Sequence, residues 1–366
     1  MDVSNRGQPS PSTSPIVLPK GADSQVQLKI EPTIKEVVIV NAIQGAKKSI
    51  WGEMYEFTDS DVAVELNKAA LNNIDVKLLY DQKKYNASPE MQSTLQNVAP
   101  VGHKVPAWAY VNNAKLASGS SASNCHAKFM IIDAETPNQQ AFIMTANFSG
   151  TALGQGKDYN NREYVVIDTS LQDIKVLIAI FQADAQAQGP PLSLSTDSNQ
   201  ILTDAPNLVV SSINSYHLLQ QLIESANASV AIQVEALADP AAKSSNPDQT
   251  IESTLLRAAQ RVGTSNVRVM LPPLAQGGPI PAFDNSAANT TLTKAQPPVQ
   301  VKTKSEYYMH AKLIIIDQKL AFIGSENLTW ESLNRNREVG ILISHQPTVQ
   351  SLCAIFDGDW NWSGAL

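Results

Sequence analysis

Two histidine–lysine pairs carry most of the chemistry that this sequence can offer. CHAKFMIID places His126 two residues before Lys128, and MHAKLIIID places His310 two residues before Lys312; Asp133 and Asp317 close the two runs. An imidazole can act as a nucleophile or move a proton near neutral pH, and an ammonium group can hold an anion. Residues two apart on a strand point to the same side, so each His shares a face with its Lys. By the same rule Thr145 shares a face with Asn147, and Ser325 with Asn327. If hairpins bring these pairs beside the His and Lys, each copy offers an imidazole, an ammonium, a hydroxyl and a carboxamide. Two such sets facing each other make a cradle for a tetrahedral anion, with a nucleophile on one side and a proton donor on the other.

A lone His before a strand ordinarily caps it or faces solvent, and a lone Lys at a strand end is ordinarily solvated. Here His-x-Lys-x4-Asp occurs twice, 184 residues apart, each time followed by hydroxyl-x-Asn. A repeated fold would preserve the aliphatic run, but packing gains nothing from an imidazole and an ammonium in both copies. His103, His217 and His345 lack such a context and read as ordinary surface or partly packed residues.

The elements that must position these groups are also written twice. Residues 1–29 are rich in Pro, Ser and Gly without a period and read as a flexible leader. The next stretch predicts a helix through Ala46, a buried strand from Ser49 to Glu56, a helix behind an Asp cap, and a strand from Val76 to Tyr80. From residue 207 the order recurs, with AKKSIWGEMYEF answered by ANASVAIQVEAL, AFIMTAN by AFIGSEN, NNREYVVI by NRNREVGILI and IFQADAQ by IFDGDWN. The first copy has four extra residues between its motif Asp and AFI, which predicts a longer hairpin turn. The expected organisation is a first lobe over 30–187, a linker over 188–206 and a second lobe over 207–366. The fold class is α/β: two similar lobes, each a mixed sheet covered by helices, with the active site at the lobe interface.

At 366 residues, with 43% hydrophobic and 17% charged residues, the chain suits a globular protein. A net charge of -7 gives no support to generic nucleic-acid binding through counterion release, although a local basic groove would escape that argument. Two cysteines build no disulfide framework, and Cys125 and Cys353 read as free thiols. No run reaches the ~18 apolar residues that span a bilayer, and the N-terminal stretch lacks the apolar core of a signal peptide. The expectation is no transmembrane segment and a cytoplasmic location, or secretion if a leader has been removed.

His126-x-Lys128-x4-Asp133 and His310-x-Lys312-x4-Asp317-x6-Gly324-Ser325-x-Asn327 resemble the twin signatures of the phospholipase D superfamily, and the likeness runs from about residue 34 to the C-terminus. The first copy departs from the pattern, with Met144 and Thr145 where Gly and Ser are usual; Met144 is expected to crowd the pocket wall. The resemblance implies a metal-free, cofactor-free, two-step displacement at phosphorus. His126, by family analogy, attacks to form a phosphohistidine, while His310 protonates the leaving alcohol and then activates water or a second alcohol. Lys128, Lys312, Asn147 and Asn327 would bind the non-bridging oxygens, and Thr145 and Ser325 would support them.

Each His needs an anionic partner on its far nitrogen. Asp133 and Asp317 lie at the far strand ends, ~16 Å from the Lys, and are expected to be structural, accepting backbone N–H groups at turns. The candidates that the resemblance implies are Glu163 and Glu338, 37 and 28 residues after their histidines, each in an Asn-Arg-Glu run.

Substrate choice is expected to lie in the loops ahead of each motif, with Trp108, Tyr307 and Tyr308 as contacts and Lys302 and Lys304 near the site. The leading expectation is a phosphodiesterase of phospholipase D type that hydrolyses or transphosphatidylates phospholipid headgroups. It would work peripherally at a membrane surface and need no protein partner. The alternative is a metal-independent endonuclease of the same superfamily.

Overall fold

The computed structural model describes residues 26–96, 109–111, 124–187, 205, 207–211, 213–238, 250–273 and 284–364. The first lobe contains seven strands: β1 (Val26–Glu31), β2 (Ser49–Met54), β3 (Asp75–Asp81), β4 (Ala109–Val111), β5 (Lys128–Ile132), β6 (Gln140–Met144) and β7 (Asn161–Asp168). The second lobe contributes β8 (Leu208–Ser211), β9 (Val230–Val234), β10 (Leu237–Ala238), β11 (Val267–Met270), β12 (Gln300–Lys302), β13 (Tyr308–Met309), β14 (Lys312–Ile316), β15 (Leu320–Gly324), β16 (Leu328–Thr329) and β17 (Glu338–Ile343).

The two main sheets have the same topology. The first runs β1-β7-β6-β5-β2-β3-β4, and the second runs β8-β17-β15-β14-β9-β11-β12 when read from the matching edge. Parallel pairs β2–β3 and β9–β11 follow helical crossovers, while the motif strands join antiparallel hairpins. β1 extends the first lobe backward: Val26–Glu31 pair with β7, so four residues expected in the leader belong to the sheet. Of the expected linker, only Ala205 is among the described residues, and it is buried.

Every side chain in Lys128–Ile132 and Lys312–Ile316 is buried, because both faces of each strand are covered. Phe129, Ile131, Leu313 and Ile315 enter one central core shared by the lobes. Met130 and Ile132 face the outer helices of the first lobe, and Ile314 and Ile316 face those of the second. The central core also takes Leu177 and Phe181 from helix Leu171–Ala187, and Leu352 and Phe356 from helix Gln346–Asn361. Capping follows the sequence locally: Asp59 accepts N–H bonds from Asp61 and Val62, and Thr250 accepts one from Ser253. Among the described residues, no helix is long and apolar enough to cross a membrane.

The lobes are also joined by buried ion pairs. Arg162, opening β7, makes a two-point contact with Asp359 of the C-terminal helix at 2.8 and 2.7 Å. Arg337, just before β17, does the same with Asp184 of the first lobe's last helix at 2.7 and 3.1 Å. The duplicated frame thus exchanges Arg–Asp pairs.

Beside each pair stands a third residue that differs between lobes. Gln233 donates to Asp359 at 2.8 Å and accepts from the Tyr164 hydroxyl. At the matching position Glu53 is fully buried against Asp184, and burial together with that carboxylate pushes its carboxyl well above the usual range. Glu53 thus stands beside Asp184 as Gln233 stands beside Asp359.

Glu53 therefore contributes stability that is complete below its unfolded pKa and is lost as pH rises toward its raised folded value. Glu53→Gln should remove that loss. In urea melts the variant is expected to gain roughly 1–2 kcal/mol over the parent at pH 8 relative to pH 5. An equal difference at the two pH values would show that Glu53 is ionised in the fold.

Candidate active site

Each His sits two residues ahead of the strand that its Lys begins, and the backbone there is tied to the opposite lobe. The Arg337 N–H donates to Asn124 O at 3.0 Å and the His126 N–H to Arg337 O at 2.9 Å. Tyr308 N–H donates to Asn160 O at 3.0 Å, and β13 pairs in parallel with the start of β7. The chain before each motif is thereby laid along the other lobe's Asn-Arg-Glu run.

This placement exchanges the carboxylates. His126 Nδ1 lies 2.8 Å from Glu338 Oε2, and His310 Nδ1 lies 2.6 Å from Glu163 Oε1. Sequence order pairs each His with the Glu downstream in its own lobe; the structure overturns that pairing and brings each Glu to the other lobe's His. Both carboxylates are buried and held by further donors. Glu163 accepts from Thr145 Oγ1 at 2.5 Å and Asn161 Nδ2 at 3.0 Å. Glu338 accepts from Ser332 Oγ at 2.6 Å and Asn336 Nδ2 at 3.0 Å. Burial alone would raise both, but the facing imidazole and the nearby Lys more than offset it and hold each below the usual carboxylate range.

Ser332 and the two Asn residues were not singled out in the sequence. The Asn-Arg-Glu repeat contains both Asn residues and was the signal available for them. Ser332 comes from helix Trp330–Asn334, whose place in the first lobe is taken by a turn over 150–154. Ser325, expected to support the site as Thr145 does, accepts the Val339 N–H at 3.0 Å, and the hydroxyl on Glu338 is that of Ser332.

Lys128 Nζ donates to His126 O at 2.8 Å and lies 3.2 Å from Nε2 of the same ring. Lys312 Nζ donates to His310 O at 2.6 Å. Burial, with Lys312 nearby, pulls Lys128 down to about 8 against the opposing pull of Glu338. Burial likewise lowers His126, and Lys128 adds to this while Glu338 opposes it. A cleft of about 500 Å³ opens onto both imidazoles and is lined by Asn147, Asn327, Tyr55 and Glu235. Glu235 was missed in the sequence, yet it contacts His310, Lys312 and Asn327 at 3.1 to 3.3 Å. Its duplicate position holds Tyr55, whose ring lies 4.6 Å from that of His126.

The motif aspartates lie at turns away from the cleft. Asp133 Oδ1 accepts N–H bonds from Lys47, Lys48 and Ser49, and Asp317 accepts them from Asn227, Ala228 and Ser229. Both sit at positive φ, 54° and 53°, a region that Asp tolerates better than most residues. Each therefore turns its hairpin and pins the start of the neighbouring strand.

Several expected contacts fall elsewhere. Trp108 lies outside the described residues. Tyr307 stacks on the Arg162 guanidinium, 4.4 Å away, instead of lining the cleft. Tyr308 is buried behind the site with its hydroxyl toward Glu235. Lys302 donates to the carbonyls of Trp360 and Trp362 and so caps the last helix instead of meeting a phosphate.

Met144 does not crowd the pocket: it is fully buried in the outer core, opposite Val165. In the second lobe the corresponding pair is Gly324 and Gly340, and a Cβ on Gly324 would lie 2.5 Å from Gly340 Cα and nearer still to the Glu326 carboxyl. The glycine accommodates buried Glu326, which has Ala146 as its counterpart; Met144 fills the equivalent space.

Comparison with known proteins agrees with the duplicated fold. The family described as Cardiolipin synthase, PLD-like domain matches residues 39–185 and 219–360. A probable cardiolipin synthase, YwiE from Bacillus subtilis, is 26% identical over 66% of this chain, and the match spans 47% of that protein, about half its length. Two solved structures superpose over 92% of the chain with a TM-score of 0.62. Polyphosphate kinase from Porphyromonas gingivalis is 14% identical and covered over 51%; phosphatidylserine synthase from Haemophilus influenzae is 12% identical and covered over 86%. At such identities these two establish the fold alone, whereas the family match takes in both lobes together with both His-Lys motifs: the chain belongs to the phospholipase D superfamily.

Proposed function

We propose that this chain is a phosphodiester-transfer enzyme of phospholipase D type, cleaving a phospholipid headgroup through a phosphohistidine and passing the phosphatidyl group to water or an alcohol. One observation carries the proposal: two imidazoles from different lobes, each oriented by a buried carboxylate, open onto one cleft lined by two carboxamides, with the Lys128 and Lys312 ammonium groups buried against the imidazoles. The lipid substrate is supported by the family's description, by the named activity of the Bacillus protein, and by the acidic balance of the chain. The chain would meet its substrate peripherally at a membrane surface.

In this reading His126 is the nucleophile. Its Nδ1–H donates to Glu338, which leaves Nε2 as the lone-pair nitrogen, 3.2 Å from the Lys128 ammonium, and burial lowers the imidazole's pKa in favour of the free base that the attack needs. Nε2 attacks phosphorus and the bond to the headgroup oxygen breaks. His310 Nε2–H supplies the proton to the departing alkoxide. In the second step His310 takes a proton from water or an alcohol, whose oxygen attacks phosphorus and breaks the P–N bond. Lys128, Lys312, Asn147 and Asn327 hold the non-bridging oxygens, where charge accumulates. Glu163 and Glu338 stabilise the imidazolium forms of the opposite lobes' histidines.

The test offers purified protein phosphatidylcholine vesicles and, separately, single- and double-stranded DNA, all in EDTA. Headgroup release is expected, and His126→Ala or His310→Ala should each reduce it on the order of a thousandfold. Glu338→Gln should impair turnover about a hundredfold through His126, although it lies in the other lobe. DNA cleavage without lipid turnover would refute the lipid reading, and activity only with added metal would refute the phosphohistidine.

The rate should also depend on Lys128. With a pKa near 8, it loses its charge as pH rises through that value, so kcat/KM should fall there. Lys128→Arg, which stays protonated, should remove this alkaline limb even if the maximal rate drops. An unchanged limb would assign the titration to another group.

A further inference from the structure

The two half-sites offer matching donors but different neighbours. In the first, Tyr55 follows β2 and presents a ring 5.5 Å from Lys128 Nζ and against His126. In the second, Glu235 follows β9 and presents a carboxylate. Its Oε2 lies 3.3 Å from His310 Nε2, 3.1 Å from Lys312 Nζ and 3.3 Å from Asn327 Nδ2. The Tyr308 hydroxyl also approaches it. Burial would raise Glu235, but His310 and Lys312 outweigh it and hold the carboxyl far below the usual range. The side chain retains 18% exposure, toward the cleft.

These three donors are the ones that the proposed reaction requires for the phosphoryl group and its leaving oxygen. A carboxylate and a phosphodiester cannot both occupy them, since both are anions and each needs the same N–H groups. We propose that Glu235 is a resident anion of the second half-site, which the substrate's phosphoryl group must displace, and which until then aims the His310 Nε2–H into the cleft. Glu235 is thus a positioning residue. It weakens ground-state binding while keeping His310 oriented for the departing alcohol, a division that the first half-site, with Tyr55, does not share. The inference rests on the reading of Lys312 and Asn327 as phosphate donors.

Inorganic phosphate is the probe, titrated calorimetrically into the full chain, into Glu235→Gln and into Glu56→Gln. Glu56 is a cleft carboxylate paired with Lys84 at 2.8 Å, so it controls for a general change of charge. Glu235→Gln should bind phosphate about tenfold tighter. In lipid turnover its KM should fall and its kcat should fall as well, whereas a purely structural role would not lower KM. Glu56→Gln should tighten phosphate much less. Unchanged or weaker phosphate binding by Glu235→Gln with a native thermal melt would overturn the inference alone, as would an equal effect of Glu56→Gln. Failure of every form to bind phosphate would overturn the functional reading and this inference with it.

Discussion

The exchange of buried charges between lobes is the constraint on which the rest of the structure depends. Glu163 serves His310, Glu338 serves His126, Arg162 meets Asp359 and Arg337 meets Asp184, and each pair crosses the same boundary. A buried ion pair adds little net stability when complete, but removing one partner costs roughly 3–5 kcal/mol because the other charge stays buried alone. A separated lobe would leave three such charged partners, an Arg, a Glu and an Asp, without their counterparts besides exposing its half of the central core. The dyads that the site needs for chemistry and the contacts that hold the lobes together are therefore adjacent residues of one Asn-Arg-Glu run. The Glu faces the opposite lobe's imidazole, the Arg locks the frame, and the Asn orients the Glu.

That arrangement also explains why the motif strands are apolar on both faces. β5 and β14 lie between an outer helical layer and the shared core, so polar groups can survive only at their ends. The His and Lys stand at the end that opens on the cleft. The Asp stands at the other, where a positive-φ turn and three backbone N–H groups give it a structural task. The signature joins two unrelated requirements, one that the proposed chemistry sets and one architectural, separated by the length of a strand.

Much of this was legible in the sequence because duplication converts weak local signals into paired ones. The helix and strand order, the two lobes, the His-Lys pairs and the separate task of the Asp residues all follow from comparing the copies. The exchange of glutamates does not follow, since internal repeats reveal equivalence and say nothing of which lobe's copy lies nearby. β1 was hidden in a stretch read as leader, because VQLKIE is a short alternating edge strand whose partner lies over a hundred residues away. Tyr307 and Lys302 were misplaced for a related reason: nearness in sequence to His310 put them beside the site, while the fold turns one onto Arg162 and the other onto the last helix.

Where the copies differ, the differences are of two kinds. Gln233 with Glu53, and Gly324 with Met144, are alternative solutions to one packing or hydrogen-bonding problem, and they leave the cleft alike on both sides. Tyr55 with Glu235 is different, because both residues line the cleft and only one bears a charge. A symmetric pair of half-sites would give both histidines the same tendency to attack and to donate a proton. A two-step displacement needs them unequal, one with a free lone pair and one with a proton aimed at the leaving oxygen. In the proposed mechanism Glu235 at the His310 Nε2, where Tyr55 stands beside His126, supplies that inequality without disturbing the scaffold, because it projects from the strand end and the pairing of β9 with β14 stays that of β2 with β5.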